Sequence, residues 1–302
     1  MGQTVGLVGA GIMGSRMCRN LLKAGFPVLA FDRSPEALRV VGEAGATPVA
    51  DLAAVGRGAP IVLMSLPDPA AVLDVVEGEG GLLAHLPAGA YLCDLSTLDP
   101  GTSRRVHASA QAHGIQALDC PVSGGPQGAE AATLTIMVGG DAADLDAVRP
   151  VLSAVGRKIV HCGGPGTGQA AKLVNQAMVA VNTVAALEAL LVGRKAGLSL
   201  DTMFSILQGS SGRSWMLENH VRTQALSGNF EPGFAMDLMF KDLRLFVESA
   251  MESKAAALVA GTALQLYSGA RAAGLGALDQ TAVVKELERL AGVELGKLGP
   301  EA

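Results

Sequence analysis

Aromatic and charged residues are both scarce in this chain. They make up 3% and 17% of its 302 residues, whereas apolar residues make up 49%. The core must therefore be built mainly from alanine, valine and leucine, as in helix-rich α/β proteins. A chain of this length is too long for one ordinary domain and suits two.

An excess of positive charge is also missing. The net charge of −5 offers no electrostatic footprint for nucleic acid and no attraction to an anionic membrane surface. No uninterrupted apolar run reaches the roughly 20 residues that span a bilayer. The N-terminal segment lacks the basic region and the small-residue cleavage pattern of a secretory signal. We expect a cytoplasmic protein with no nucleic-acid partner and no membrane partner.

The sequence has no spacing of cysteine and histidine that is typical of a metal site. Its four cysteines, Cys18, Cys93, Cys120 and Cys162, are far apart and fit the reduced thiols of a cytoplasm. Each of the five histidines is better interpreted as structural than as catalytic. No G-x-S-x-G motif or paired-carboxylate pattern indicates a hydrolase. We therefore expect no metal.

A glycine-rich loop between an apolar strand and a helical pattern is the first motif present. The order strand, G-x-G-x-x-G, helix is the context that a dinucleotide site requires. The first glycine permits a tight turn, the second lets a pyrophosphate approach the backbone, and the third packs the helix closely on the strand. A glycine loop without a ligand is the alternative. Cofactor contacts are predicted at Gly9, Gly11, Ile12, Met13 and Gly14.

The second strand ends at an acidic residue that bears on the choice of dinucleotide. Asp32 stands about 20 residues after the glycine loop, where a carboxylate accepts the ribose hydroxyls of NAD. Its charge would repel a 2′-phosphate. Arg33 follows directly and could bind that phosphate, so NAD is expected while NADP stays possible.

Further apolar strands alternate with helices and predict a parallel sheet that helices cover on both faces. Ligands of such sheets bind beyond the carboxyl ends of the strands. Leu66, Pro67 and Thr97 follow two of these strands, and Ser123-Gly124-Gly125 follows a third. The unhindered N–H groups of the last loop suit a carboxylate or another anion. A simple glycine turn is the alternative interpretation.

The stretch from Gly163 to Gly197 opens on a glycine-rich turn and continues as a long apolar helix, which carries three polar residues on one face. Lys172, Asn175 and Gln176 follow i, i+3, i+4 spacing, and burying them is costly unless a ligand uses them. The alternative is that the lysine reaches solvent along the helix surface. Beside a bound dinucleotide, Lys172 could take up or release the proton of an alcohol while hydride is transferred.

After this helix no convincing strand pattern remains, and the apolar periodicity is helical. The change from alternating strands and helices to helices alone predicts two domains. Residues 1–163 are expected to form a dinucleotide-binding Rossmann domain. Residues 164–302 are expected to hold the interdomain helix and an all-α domain. The predicted helical stretches are Leu200–Gln208, Ser214–Leu226, Ala235–Lys254, Ala256–Ala272 and Ala277–Gly292. Lys241 and Asp242 lie mid-helix in an apolar stretch, which is a costly placement if they are buried. The alternative is that they lie on a solvated face of the helix.

Five segments, spread over nearly the whole chain, resemble the β-hydroxyacid dehydrogenases. The family includes 3-hydroxyisobutyrate dehydrogenase, tartronate semialdehyde (2-hydroxy-3-oxopropionate) reductase and L-threonate dehydrogenase. The segments are VGLVGAGIMGSRMCRNLLKAG, DLST, DCPVSGGPQGAEAATLTIMVGG, GPGTGQAAKLVNQ and FAMDLMFKDLRL. The resemblance implies an α/β fold with a Rossmann-type doubly wound sheet followed by an all-helical C-terminal domain. It also implies NAD(P)-dependent interconversion of a small 3-hydroxy acid and its oxo acid or semialdehyde.

The resemblance also implies roles for individual residues. Ser123, Gly124 and Gly125 would bind the substrate carboxylate, and Lys172 would be the catalytic acid/base. Asn175 or Gln176 would contact the substrate, while Thr97 and Lys241 would contact the dinucleotide. The C-terminal domain would form a homodimer or homotetramer.

The residues that would choose the substrate give conflicting signals. Asn175-Gln176 resembles tartronate semialdehyde reductases, whereas Ser210–Trp215 looks more like 3-hydroxyisobutyrate enzymes and Ser214–Asn219 like threonate dehydrogenases. Only a substrate class is therefore predicted. An imine reductase on the same fold and a non-catalytic dinucleotide-binding scaffold are the alternative functions.

Overall fold

A computed structural model describes residues 2–298 of the chain. Its strands are β1 Val5–Val8, β2 Val28–Phe31, β3 Thr47–Pro48, β4 Ile61–Met64, β5 Tyr91–Asp94, β6 Gln116–Asp119, β7 Val122–Ser123, β8 Leu134–Gly139 and β9 Gly156–Gly163. Its α-helices are α1 Ile12–Lys23, α2 Pro35–Glu43, α3 Leu52–Gly58, α4 Pro69–Glu77, α5 Pro100–Ala112, α6 Gly125–Glu130, α7 Ala142–Ser153, α8 Thr167–Lys195, α9 Leu200–Gln208, α10 Met236–Glu252, α11 Leu258–Ala272 and α12 Val283–Ala291.

The strands β1 to β9 belong to one sheet. Its order is β3-β2-β1-β4-β5-β6-β8-β7, with β9 also paired to β8. The first six strands in this order are parallel, and β1, β2, β4, β5 and β6 are in register at their carboxyl ends. The loops that follow these strands therefore start from one edge of the sheet.

Apolar side chains on the two faces of the sheet enter two separate cores. Val5, Leu7 and Leu63 belong to one buried cluster, while Val8 and Met64 belong to the other. Successive side chains of a strand point to opposite faces, so a continuous apolar run fits a strand that is covered on both sides. The predicted Rossmann-type doubly wound fold is confirmed.

The sheet departs from the expected parallel pattern at one side. Strand β8 pairs antiparallel with β6 and with β7, and only its pairing with β9 is parallel. The segment around Ser123-Gly124-Gly125 is also more ordered than a glycine turn. Ser123 ends β7, Gly124 has φ +134°, and Gly125 begins α6. Strand β7 and helix α6 are only two and six residues long, so they leave no periodic signal in the sequence.

The chain divides into two compact units, one that ends at Lys172 and a second that begins at Leu173. The predicted domain boundary after residue 163 stays a prediction. Within the second unit, the helical residues surround an apolar core that includes the fully buried Phe204 and Tyr267. The predicted all-helical character of this region is confirmed, and α9 has the predicted bounds.

The other helices of the second unit are shorter than predicted. The expected helix Ser214–Leu226 contains a π-helical segment, Met216–Val221, and a 3₁₀ turn, Ala225–Ser227. The expected helix Ala277–Gly292 is a 3₁₀ turn, Gln280–Ala282, followed by α12. The Asp279 side chain caps that turn by accepting the Thr281 N–H, so helix begins later than the apolar periodicity indicates.

Helix α8 is, within residues 2–298, long and apolar enough to cross a membrane by length and composition alone. The core helix of a soluble protein passes the same test. Lys172, Gln176 and Thr183 are buried polar residues of this helix. The predicted absence of a membrane partner stays a prediction.

A buried aspartate with four donors joins distant parts of the second unit. Asp279 is 0% exposed, and its carboxylate contacts His220 Nε2 at 3.0 Å and accepts from Phe234 N, Thr281 N and the Thr281 hydroxyl. Burial by itself raises the pKa of the Asp279 carboxyl. The hydrogen bond and charge of His220 and the backbone donors outweigh burial and place that pKa below its usual value. His220 thus supports the fold, through a carboxylate partner 59 residues away.

A lowered carboxyl pKa stabilises the fold at pH values above the unfolded-state pKa near 4, and this stability is lost as the pH falls through the folded-state pKa. Asp279→Asn should therefore lower the free energy of unfolding at pH 7 by about 1–3 kcal/mol, because a buried donor loses its acceptor. Urea denaturation at pH 7 and pH 3 should show this difference narrowing at the lower pH. Asp146→Asn, at an exposed position, is the control that should change little. An equal difference at both pH values would contradict the assignment.

Candidate active site

The glycine-rich loop after β1 has the geometry that its sequence predicts. Gly9 has φ +93°, and a Cβ there would lie 2.2 Å from Ser65 O. A Cβ on Gly14 would lie 1.9 Å from Gly9 O, so the start of α1 is pressed onto the loop. A Cβ on Gly11 would meet no heavy atom within 4 Å. The fold thus requires glycine at positions 9 and 14. Gly11 instead leaves open space, in which a ligand is expected to contact the main chain of the loop.

Ile12 and Met13 begin α1 directly after this open space. Ile12 is exposed despite being a large apolar residue, whereas Met13 is half-buried and packs against the core. The first N–H groups of a helix lack intrahelical acceptors, and the positive end of the helix dipole favours an anion. The loop and the helix start therefore fit the pyrophosphate of a dinucleotide.

Asp32 is held against the glycine-rich loop. Its Oδ2 accepts from Ala10 N at 2.7 Å, and its Oδ1 accepts from Ser34 N at 2.8 Å. The carboxylate therefore has a fixed orientation at the end of β2, next to the loop that would hold the pyrophosphate. Arg33 is exposed beside it. This geometry fits an acid that accepts ribose hydroxyls.

Two further loops at the same edge are joined to each other. The Ser96 hydroxyl after β5 accepts from Leu66 N after β4 at 2.9 Å. Pro67 is exposed and Thr97 is half-buried next to these residues. The structure therefore brings together the glycine loop, the Leu66-Pro67 loop and Thr97 at the carboxyl edge of the parallel strands.

The Ser123–Gly125 segment is attached to the helix that starts at the glycine loop. Asn20 of α1 is buried, and its Nδ2 donates to Ala129 O of α6 at 2.6 Å. The exposed Glu130 of α6 also pairs with Arg19. Helix α6 begins with Gly125, so these contacts fix the predicted anion segment relative to α1.

Asp119 fixes the start of the long helix α8. This residue ends β6 and is 4% exposed. Its Oδ1 accepts from Gly166 N and its Oδ2 from Gln169 N, both at 2.8 Å. A carboxylate at a helix N-terminus satisfies donors that lack intrahelical partners and complements the helix dipole. No motif in the sequence indicates this role, because Asp119 and Gln169 are far apart in the chain.

Lys172 lies in the second turn of α8 and is 6% exposed. The alternative that its side chain reaches solvent is therefore wrong. Asn175 and Gln176 follow on the same helical face. Asn175 Nδ2 donates to Gln176 Oε1 at 3.0 Å, so the two predicted substrate residues are hydrogen-bonded to each other.

A buried carboxylate in α10 joins Gln176 to Lys241. Gln176 Nε2 donates to Asp242 Oδ2 at 2.7 Å, and Lys241 Nζ lies 3.1 Å from Asp242 Oδ1. Asp242 is almost fully buried, so the alternative of a solvated face is wrong for this position. The amide and the ammonium together compensate its charge. The apolar stretch around Asp242 indicates a costly placement, but nothing in the sequence indicates which residue is its partner.

Two family models match adjoining parts of the chain. Residues 4–164 match the NAD binding domain of 6-phosphogluconate dehydrogenase. Residues 166–287 match the NAD-binding domain of NADP-dependent 3-hydroxyisobutyrate dehydrogenase. Together the two matches extend over most of the chain.

Similar proteins align over nearly the whole length of this chain. The 2-(hydroxymethyl)glutarate dehydrogenase of Eubacterium barkeri is 40% identical, over 96% of this chain and 97% of its own. The NAD-dependent L-serine dehydrogenase of Pseudomonas aeruginosa is 38% identical, over 87% and 90%. The solved 3-hydroxyisobutyrate dehydrogenase of Mycobacterium tuberculosis with L-serine is 35% identical, with a TM-score of 0.87 over 95% and 99%.

The chain belongs to the β-hydroxyacid dehydrogenase family. It is an NAD(P)-dependent oxidoreductase, and the resemblance that the five segments indicated is confirmed. An imine reductase from Pseudomonas sp. has a TM-score of 0.61 at 20% identity, over 95% of this chain and 100% of its own, which shows a shared fold alone. Among residues 2–298, no group of three or more histidine, cysteine, aspartate or glutamate side chains could hold a metal ion.

The glycine geometry predicts that folding and dinucleotide binding can be separated. Gly11→Ala should leave the melting temperature unchanged, because the added Cβ enters open space and φ −66° suits alanine. Calorimetry should show weaker NAD(P)H binding. The dissociation constant should rise about tenfold for each 1.4 kcal/mol of binding free energy that is lost. Gly261→Ala, also into open space but in α11, should change neither property adversely.

Gly14→Ala completes this comparison. Its Cβ would overlap Gly9 O, so the melting temperature of the dinucleotide-binding unit should fall together with binding. Unchanged NAD(P)H affinity in Gly11→Ala would show that the open space does not receive the ligand.

Proposed function

We propose that the protein interconverts a small 3-hydroxy acid and its 3-oxo acid or semialdehyde, with Lys172 as the acid/base. The observation that carries this proposal is the burial of Lys172 on a helix whose start is anchored by Asp119 at the ligand edge of the sheet. A buried lysine of this kind suits proton transfer better than a solvated one.

The dinucleotide would be held by residues at the carboxyl edge of the sheet and in α10. They are Gly9, Gly11, Ile12, Met13, Gly14, Asp32, Arg33, Leu66, Pro67, Thr97 and Lys241. Bound there, it supplies the hydride acceptor or donor for the reaction. We propose NAD as the preferred form, because the oriented Asp32 carboxylate would oppose a 2′-phosphate. Among the similar proteins, the L-serine dehydrogenase is NAD-dependent, whereas the matched C-terminal domain is that of an NADP-dependent 3-hydroxyisobutyrate dehydrogenase.

The substrate carboxylate would bind at Ser123, Gly124 and Gly125. Backbone N–H groups around glycine approach an anion closely because no side chain intervenes. The Lys172 ammonium would then lie ready to donate its proton to the substrate oxygen during reduction, and its neutral form would take that proton during oxidation. Asn175 and Gln176 would orient the substrate hydroxyl or the lysine, since they share the face of α8 that carries Lys172.

The relatives act on hydroxy acids that differ in the group beyond the reacting alcohol. Their names include 3-hydroxyisobutyrate, L-serine and 2-(hydroxymethyl)glutarate. Each of these molecules has a carboxylate and a hydroxymethyl group, which is the class that we propose here. A cytoplasmic location fits a soluble metabolic enzyme of this kind.

Lys172→Met should lower kcat by about 10²–10⁴-fold, the usual contribution of general acid–base catalysis. The measurement is NAD(P)H absorbance at 340 nm with a panel of 3-hydroxy acids, run with NAD and with NADP in parallel. NAD(P)H binding should persist in the variant. Lys195→Met, which replaces an exposed lysine of the same helix, is the matched control with full activity. Full activity in Lys172→Met would contradict the role of this lysine, and binding without turnover in the wild type would indicate a scaffold.

We propose in addition that the protein self-associates through its C-terminal unit. Helices α8 and α11 line an open apolar groove that includes Val181, Val184, Val192, Val259 and Leu266. Val259 is 66% exposed, and Leu258 next to it is exposed as well. Apolar patches of this kind typically mark interaction surfaces. A second copy of the chain can cover the groove, because a twofold contact presents the same surface from both partners.

Val259→Asp should shift the protein from a dimer or tetramer toward a monomer, because the interface would bury an unpaired charge. Light scattering after size-exclusion chromatography measures this change. Leu290→Asp, at an exposed apolar position of α12 outside the groove, should keep the wild-type mass. A monomeric wild type would refute the proposal.

A further inference from the structure

Gln169 is a fully buried amide three positions before Lys172 on α8. Its Oε1 accepts from Leu98 N at 3.0 Å, and its Nε2 donates to Ser96 O at 2.9 Å. These two backbone groups flank Thr97. One side chain thus fixes the peptide on both sides of a residue that is expected to contact the dinucleotide.

The contacts of Ser96 extend this arrangement to a second loop. Its hydroxyl accepts from Leu66 N, and its own N–H donates to Asp94 Oδ1 at 3.0 Å. The Leu66 loop and the Thr97 loop are therefore joined through Ser96. Because Gln169 holds the Ser96 carbonyl, both loops are also tied to α8.

The backbone of Gln169 is fixed as well. Its N–H donates to Asp119 Oδ2 at 2.8 Å, which anchors the first turn of α8 at the end of β6. The residue is thus held at its main chain by β6 and at its side chain by the loop after β5. Lys172 follows one turn later in the same helix.

We propose that Gln169 is a positioning residue that sets the Thr97 backbone relative to Lys172. This inference rests on the proposed function, in which Thr97 contacts the dinucleotide and Lys172 exchanges the proton. Thr97 would help to place the dinucleotide, which carries the hydride, while Lys172 exchanges the proton. The distance between Thr97 and Lys172 would therefore determine whether both transfers can occur in one bound complex. A displacement of about 1 Å at such a site can cost 10²-fold in rate.

An amide is the side chain that this position requires. It supplies one acceptor and one donor group, which match the Leu98 N–H and the Ser96 carbonyl. Methionine has a similar length but neither strong donor nor acceptor, so both buried backbone groups would lose these hydrogen bonds. Gln169→Met therefore removes the connection while it keeps most of the volume.

Gln169→Met should raise the KM for NAD(P) and lower kcat, each by about tenfold, which corresponds to roughly 1.4 kcal/mol. The KM for the hydroxy acid should stay unchanged, because the Ser123–Gly125 segment is held by Asn20 and α6 instead. This split between the two KM values is the readout that a general loss of stability would not produce.

Thr183→Val is the matched control on the same helix. Thr183 is also fully buried. Its hydroxyl donates to Val179 O and accepts from Gln280 Nε2, and neither partner belongs to the dinucleotide loops. The variant should lower the melting temperature but leave kcat and both KM values unchanged. A parallel change of KM for NAD(P) in Thr183→Val would overturn the proposal.

Ser96→Ala provides a second, milder test should Gln169→Met fail to fold. It removes the hydroxyl that accepts from Leu66 N. The hydrogen bonds of the Gln169 side chain to the Ser96 carbonyl and the Leu98 N–H stay in place. The KM for NAD(P) should rise by a smaller factor, with kcat retained. An unchanged KM for NAD(P) in Ser96→Ala would contradict the proposal that Ser96 connects the Leu66 loop and the Thr97 loop for dinucleotide binding.

The outcomes separate this inference from the proposed function. A wild-type protein that turns over hydroxy acids while Gln169→Met keeps its KM and kcat would overturn the positioning role alone. A wild type without turnover would refute the proposed function. In that case titration of NADH fluorescence still measures whether Gln169→Met weakens dinucleotide binding, and unchanged affinity would overturn the inference.

Discussion

The Asp119 carboxylate is the interaction on which the candidate site depends. It is buried at the end of β6 and accepts from Gly166 N and Gln169 N at the start of α8. A buried charge is costly unless donors compensate it, and here the donors are N–H groups that a helix start leaves unpaired. A Cβ on Gly139 would lie 2.5 Å from Asp119 Oδ1, so glycine at this position makes room for the carboxylate. The anchored helix then fixes the backbone position of Lys172.

The parallel strands turn a set of separate loops into one edge. Because their carboxyl ends are in register, the glycine loop, Asp32, Leu66 and Thr97 start from neighbouring positions. Polar side chains then join these loops in pairs: Asp32 to Ala10, Ser96 to Leu66, and Asn20 to α6. The second unit contains its own polar chain, from Asn175 through Gln176 and Asp242 to Lys241. Both networks include buried groups, among them Ser96, Asn20, Gln176 and Asp242, for which a lost hydrogen bond is costly.

Much of the fold and of the glycine loop could be predicted, because each rests on a local rule. Apolar runs of four residues, a G-x-G-x-x-G turn and the Ser34 cap before Pro35 all act over a few residues. Local rules did not predict strand β7, the antiparallel pairing of β8, the helix at Gly125 or the π-helical segment Met216–Val221. They depend on pairing and packing with distant residues, which overrides local preference.

The sequence by itself determined the family, the dinucleotide motif and the polar face of α8, since periodicity and motif spacing are properties of neighbouring residues. Only the tertiary structure decided which of two interpretations applied to Lys172 and Asp242, because burial is a property of the packed chain. It also decided the distant partners of Asp119, Gln169 and Asp279. These hydrogen bonds join residues 45 to 73 positions apart, and no pattern along the sequence encodes a hydrogen bond at that separation.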